Sequence, residues 1–98
     1  MMKGVYQKIW IPFTKYYLIR WKPRALTPIH GHDGKDCAFM VLNGRLKENV
    51  YTQLSTGYFM KRSKVIEKND ISFINDSHGE HTIQNIEHKP TWSLHKYY

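Results

Sequence analysis

The sequence predicts an all-β chain folded as a small sandwich or barrel. Segments rich in aromatic and β-branched residues recur along most of its 98 residues, and KYYLIRW at 15–21 is one example. Turn signals such as Asn43-Gly44 and Ser55-Thr56-Gly57 separate these segments. Many short strands at regular spacing favour a sandwich or a barrel.

The first half of the chain carries one weakly helical segment and three predicted strands. Residues 2–10 read weakly as a helix. The aromatic segment 15–21 is the first predicted strand, and an extended segment around residues 30–32 follows it. Residues 38–42 are wholly apolar, which favours a buried strand before the Asn-Gly turn.

The second half reads as strands throughout. In segment 45–53, Leu46, Glu48 and Val50 share one parity and alternate with polar neighbours, as expected of a half-buried strand. After the turns at residues 55–57 and 68–70, the remaining strands are predicted at 58–62, 71–74, 82–86 and 91–98.

Composition limits the function. The net charge is +7, but the lysines and arginines are scattered rather than blocked, so we do not expect nucleic-acid binding. No apolar run approaches the length of a membrane span, and the N-terminus lacks the apolar segment of a signal peptide. The single cysteine excludes an internal disulfide. We therefore expect one domain over residues 1–98, in the cytoplasm.

A histidine pair is the first candidate metal site. His30 and His32 stand two residues apart, so in a strand both imidazoles point to one side. Imidazole suits iron, copper, nickel or zinc. Such a pair also occurs on surfaces without any role. Here a lone cysteine, Cys37, and the buried strand follow it, which favours metal ligands in the mouth of a barrel.

These residues resemble a known family. His30, His32, Cys37 and Gly44 have the spacing of the first cupin motif, with cysteine where most cupins carry glutamate. That exchange marks the thiol dioxygenases, and the surrounding residues resemble cysteine dioxygenase.

Two later segments extend the resemblance over nearly the whole chain. INDSHGEH at residues 74–81, with Asn85 after it, is similar to the second motif of that family. SLHKY at residues 93–97 is similar to its Ser-x-His-x-Tyr segment. The resemblance implies a small cupin barrel, that is, a double-stranded β-helix or jelly-roll. It also implies oxidation of a thiol by dioxygen at ferrous iron.

The resemblance implies three iron ligands: His30, His32 and His81. Three neutral imidazoles leave open positions on the metal, as dioxygen chemistry at ferrous iron requires. Read alone, His81 would be a satisfied core or surface histidine, but the Gly79-x-His81 turn and the following Asn85 favour the metal ligand. We expect His78 and His88, in turn-like surroundings, to face solvent.

A row of polar side chains follows near the C-terminus. Ser93, His95 and Tyr97 alternate along one predicted strand and therefore share a face, so Ser93 can fix the ring of His95 and His95 can orient Tyr97. On its own, such a row near a C-terminus is by default the polar face of an ordinary edge strand. The resemblance implies instead that it lines the iron pocket, and that Cys37 forms a thioether with Tyr97.

The predicted substrate contacts are Tyr6, Lys8 and Trp21. Tyr6-Gln7-Lys8 matches a Tyr-x-Arg segment that supplies the carboxylate-binding arginine in the family, with lysine in place of arginine. Lysine keeps the charge but lacks the planar fork. Trp21 belongs to the more apolar parity of its strand, so it either faces the cavity or is only core.

The resulting hypothesis is a non-haem iron thiol dioxygenase that converts cysteine to its sulfinic acid with dioxygen. Two alternatives are a dioxygenase of another small thiol, similar to 3-mercaptopropionate, and a metal-binding cupin with little activity. Full-length family members have a helical region before these motifs and further strands after them. The barrel is therefore expected to be minimal or truncated, and exposed strand edges would favour a homodimer.

Overall fold

A computed structural model describes residues 5–29, 36–74 and 80–97. Within these ranges all the regular secondary structure consists of β-strands, which confirms the all-β prediction. The strands are β1 (Tyr6–Trp10), β2 (Tyr16–Trp21), β3 (Cys37–Asn43), β4 (Arg45–Leu54), β5 (Gly57–Glu67), β6 (Ile71–Ile74), β7 (Glu80–Asn85) and β8 (Thr91–Tyr97).

The strands form two antiparallel sheets that enclose one core. The larger sheet has the order β1-β2-β8-β3-β6 and the smaller has the order β5-β4-β7. Alternate residues of β3, β4 and β8 are buried, as period-two strands with one covered face require. Each fully buried large apolar side chain contributes roughly 1.5–3 kcal/mol. Both sheets supply the core cluster: Ile19, Trp21, Phe39, Val41, Leu46, Ile66 and Ile83.

The weak helical reading of residues 2–10 is wrong where the structure describes them. Residues Tyr6–Trp10 form β1, an edge strand paired antiparallel with β2, with Tyr6 opposite Trp21. Pairing with a neighbouring strand supplies the backbone hydrogen bonds that a helix would otherwise make internally. The helical reading failed because the sequence of residues 2–10 does not show that β2 lies beside them.

Strand β5 is longer than the predicted segment 58–62. It runs over Gly57–Glu67, and all but one of its residues are exposed. As an edge strand of the smaller sheet, it has no hydrophobic alternation along most of its length. The charged stretch 61–64 therefore gave no periodic signal that strand β5 continues beyond residue 62.

The turn between β3 and β4 requires glycine. Gly44 has a φ of +71°, and a Cβ there would lie 2.5 Å from Thr91 Oγ1. The Asn43-Gly44 turn signal therefore reports both a left-handed backbone and a close approach to β8. Among the described residues no helix is long and apolar enough to span a membrane.

The connection from β2 to β3 runs beside the smaller sheet. The Thr27 N–H donates to the Ile83 carbonyl at 3.0 Å, and the Ile83 N–H donates to Thr27 Oγ1 at 3.0 Å. Ile83 lies in β7, two residues after His81. The segment that leads to His30 is thus hydrogen-bonded to the strand that carries His81.

Candidate metal and thiol site

A small cavity between the two sheets gathers most of the predicted site residues that the structure describes. Its volume is about 40 Å³, more than the roughly 10–15 Å³ that one water molecule needs. Polar, sulfur-bearing and aromatic side chains line it together: Tyr6, Ile19, Trp21, Thr27, Cys37, Phe39, His81, Ile83, His95 and Tyr97.

The predicted row on β8 faces this interior. Ser93 is fully buried and His95 is nearly so. Ser93 Oγ lies 2.7 Å from His95 Nε2, and the His95 ring stacks on Phe39 of β3 with centroids 4.8 Å apart. The serine and the phenylalanine together fix the plane and the rotation of the imidazole.

Trp21 belongs to the same hydrogen-bonded row. Its indole Nε1–H donates to Ser93 Oγ at 2.8 Å, and the tryptophan is buried. An indole N–H can only donate, and a serine hydroxyl has one proton. The Ser93 oxygen therefore accepts from Trp21, which leaves the hydroxyl proton available to His95 Nε2. The other ring nitrogen, Nδ1, lies 3.9 Å from Cys37 Sγ.

Cys37 and Tyr97 meet across the pair formed by β3 and β8. They are direct partners in the strand register, and each side chain affects the pKa of the other. Burial raises the pKa of the Cys37 thiol from 9.0 to about 11, against the opposing effect of the nearby Lys8 charge. Burial also raises the pKa of the Tyr97 phenol above its usual range, and Cys37 adds to the shift. Both groups are neutral at pH 7.

Lys8 brings positive charge to the Tyr97 hydroxyl. Its Nζ donates to that hydroxyl at 3.2 Å and lies 4.5 Å from the ring centroid of Tyr17 and 4.4 Å from that of Tyr97. Tyr6, from the same strand β1, packs on Trp21 with centroids 5.0 Å apart. The contacts of Lys8 with the rings of Tyr17 and Tyr97 hold its ammonium group beside the cavity.

His81 is the described member of the predicted ligand set, and it is buried in β7. Its Nδ1 lies 3.1 Å from Glu48 Oε2 on the neighbouring strand β4. Ser72 Oγ of β6 donates to Glu48 Oε1 at 3.4 Å, so this polar group links the two sheets. A buried imidazole held at one nitrogen by a carboxylate is a common arrangement for a metal ligand.

The other two predicted ligands, His30 and His32, lie outside the described residues, as does His78. Within ranges 5–29, 36–74 and 80–97, no three His, Cys, Asp or Glu side chains are placed to hold a metal ion together. His88 is exposed, as expected.

Two buried polar residues were not assigned a role from the sequence. Glu48 was read only as part of an alternating strand, although its parity with Leu46 and Val50 already placed a carboxylate in the core. Asn85 was read as the end of a motif. In the structure its Nδ2 donates to three carbonyls and its Oδ1 accepts from the Glu87 N–H and the Thr91 hydroxyl. Asn85 thus joins the ends of β2, β7 and β8.

Comparison with known proteins identifies the family that this chain matches. The model of the family described as cysteine dioxygenase type I matches residues 13–98. Cysteine dioxygenase type 1 from Danio rerio is 32% identical over 85 residues, which are 82% of this chain and 42% of that protein. Its counterpart from Homo sapiens is 33% identical over 84 residues, with the same shares. The chain therefore spans less than half the length of these curated relatives.

A solved structure shows the fold. The cupin domain of Schizosaccharomyces pombe Cnp3 superposes with a TM-score of 0.67 at 12% identity, over 94% of this chain and 58% of that one. At that identity the likeness concerns the fold alone, which is a small all-β cupin.

Proposed function

Because the chain belongs to the cysteine dioxygenase type I family, we propose that it oxidises a small thiol with dioxygen to the sulfinic acid, at a ferrous iron held by His30, His32 and His81. Cysteine is the first candidate substrate. One thiol and one dioxygen give one sulfinic acid: both oxygen atoms go to sulfur, which loses the four electrons that dioxygen gains.

The observation that carries this proposal is one cavity lined by His81, Cys37, His95 and Tyr97. These residues come from three strands in two sheets, so the topology, rather than local sequence, brings them together. An imidazole, a sulfur and a phenol around one small space suit a metal and a polar oxygen species beside it.

His81 would supply one iron ligand, and the path of the chain supports two more. Thr27 is hydrogen-bonded to Ile83, so the segment leading to His30 and His32 starts beside β7. When bound by three neutral imidazoles, ferrous iron keeps its double positive charge and would offer positions to a thiolate and to dioxygen. The nearly complete burial of His81 keeps its ring in place for that role.

Lys8 would bind the carboxylate of the substrate. Its ammonium group lies at the Tyr97 hydroxyl, at the edge of the cavity. Cysteine and 3-mercaptopropionate share a thiol and a carboxylate, so this contact serves either one. Lysine makes a one-point contact where arginine would make two, and we therefore expect weak affinity for both acids.

We further propose a thioether between Cys37 and Tyr97. The bond joins Cys37 Sγ to a ring carbon of Tyr97, and two protons and two electrons leave with dioxygen as the acceptor. The direct register of the two residues supports it, since the strands need no rearrangement.

Aerobic turnover tests the proposal. Protein loaded anaerobically with Fe(II) is given cysteine or 3-mercaptopropionate in air, and dioxygen uptake and sulfinic acid are measured together. We expect equal amounts of both, loss of iron and of uptake in His81→Ala, and neither loss in His88→Ala, whose histidine is exposed. Iron bound without thiol-dependent uptake would favour a metal-binding cupin with little activity.

A further inference from the structure

We propose that Glu48 is a positioning residue of the metal site, acting through His81. This inference rests on the proposed function, because it assigns His81 to a metal. Glu48 would hold the ring so that Nε2 is the ligating nitrogen, and it would place a negative charge next to the site.

Glu48 is buried, and both of its carboxylate oxygens have a polar partner. The glutamate is 1% exposed and His81 is 2% exposed. Its Oε2 lies 3.1 Å from His81 Nδ1, while Oε1 accepts from the Ser72 hydroxyl at 3.4 Å. The serine stands on the opposite sheet. Each carboxylate oxygen therefore has a partner, so a rotation of the carboxylate would break the contact with His81, the contact with Ser72, or both.

A purely structural role explains this residue poorly. A buried carboxylate destabilises a core unless it is paired, whereas an apolar side chain would pack there without that cost. Leu46 and Val50, its neighbours in the same parity of β4, are both buried apolar residues. Unlike these two apolar residues, Glu48 makes polar contacts, and the shorter of them is the one to His81.

The contact has two chemical consequences for a metal-bound His81. First, with Nδ1 turned to the carboxylate, the ring presents Nε2 to the metal, and its tautomer is fixed with the proton on Nδ1. Second, a carboxylate that accepts this proton makes the imidazole a better donor. It also adds the negative charge that three neutral histidine ligands lack.

Two variants separate orientation from charge. Glu48→Gln keeps the length of the side chain and an oxygen that can accept from His81, but it removes the charge. Glu48→Ala removes both. The matched control is Glu80→Gln, because Glu80 immediately precedes His81 in β7, has the opposite parity along that strand, and lies near Tyr58, whose pKa it raises.

The experiment measures the dissociation constant of Fe(II) anaerobically, by competition with a chromophoric chelator. Removing such an outer partner typically weakens metal binding by about 10–100-fold. We expect about tenfold weaker binding in Glu48→Gln, a larger loss in Glu48→Ala, and an unchanged constant in Glu80→Gln. Circular dichroism shows whether each variant is folded.

A measurement on the unchanged protein keeps the inference testable if the variants do not fold. With ¹⁵N-labelled histidine and diamagnetic Zn(II), two-bond ¹H–¹⁵N correlations identify the nitrogen of His81 that carries the proton. We expect the proton on Nδ1 and the metal on Nε2.

The outcomes distinguish this inference from the proposed function. A folded Glu48→Gln protein that binds Fe(II) as tightly as the unchanged chain overturns the role of Glu48 alone. So does a His81 whose Nδ1 carries the metal. An unchanged chain that binds no Fe(II) overturns the proposed iron site, and the role of Glu48 falls with it.

Discussion

Cys37 of β3 lies directly opposite Tyr97 of β8 in the antiparallel register, and Cys37 contributes to the raised pKa of the Tyr97 phenol. The Lys8 ammonium donates to the same tyrosine hydroxyl at 3.2 Å. The sulfur and the phenol are thus neighbours before any reaction, and the burial of the thiol and the partial burial of the phenol keep both protonated.

This juxtaposition predicts a cross-link that accumulates with turnover. After repeated cycles with iron, thiol and dioxygen, we expect a fraction of the protein to be lighter by two hydrogens. Peptide mapping should place the loss on a linked pair of peptides that contain Cys37 and Tyr97.

Cys37→Ala is the control, because it removes the sulfur and must abolish the mass change. The cross-link is refuted if, after prolonged turnover and unfolding, a thiol reagent still labels Cys37 in every molecule.

The raised pKa of Cys37 predicts a loss of stability in alkaline solution. Its folded pKa of about 11 lies above its usual 9.0, so the protonated thiol is favoured by folding. That contribution is complete below pH 9 and falls as the pH rises through 11. We expect the unfolding free energy of the metal-free protein to drop by about 2 kcal/mol over this window in excess of the drop for Cys37→Ala. Parallel pH profiles for the two proteins would contradict the shift.

Ser93→Ala should destabilise the chain, since it leaves Trp21 Nε1 and His95 Nε2 without the hydroxyl that joins them. An unmatched buried polar group costs about 1–3 kcal/mol. Urea unfolding measures the change, with Ser63→Ala on the exposed strand β5 as the control. If both variants lose the same free energy, the row formed by Trp21, Ser93 and His95 does not contribute as the distances indicate.

Lys8→Ala should remove the preference for thiols that carry a carboxylate. A hydrogen bond to a charged group contributes about 1.5–3 kcal/mol, so we expect kcat/KM for cysteine to fall at least about tenfold relative to cysteamine. Lys8→Arg should raise the apparent affinity for cysteine, because the guanidinium binds a carboxylate at two points. The control is Lys64→Ala, on the exposed strand β5. Unchanged selectivity in Lys8→Ala would exclude this lysine as the carboxylate contact.

Most strands could be predicted because their signals are local. The apolar run at 38–42 and the Asn43-Gly44 turn correspond to β3 and its end, and β6 has the predicted bounds. Strand β1 was missed because the pattern of apolar residues within it does not show that β2 pairs with it. Most of β5 is exposed on both faces, so no buried parity marked its full length.

The site could be predicted only where residue types themselves carried the signal. Ser93, His95 and Tyr97 were grouped by alternation along one strand. The bond from Trp21 to Ser93 joins residues far apart in sequence, and the contact of Glu48 with His81 depends on β4 lying next to β7. No local pattern specifies which strands are neighbours, so these two contacts required the structure.

Labelled dioxygen tests the proposed reaction most directly. The iron-loaded chain is supplied with cysteine and ¹⁸O₂, and the product is examined by mass spectrometry. We predict cysteine sulfinic acid with both oxygens of the sulfinate labelled, and no such product from His81→Ala. Cystine or hydrogen peroxide as the only products, or a sulfinate with unlabelled oxygen, would contradict a dioxygenase at this site.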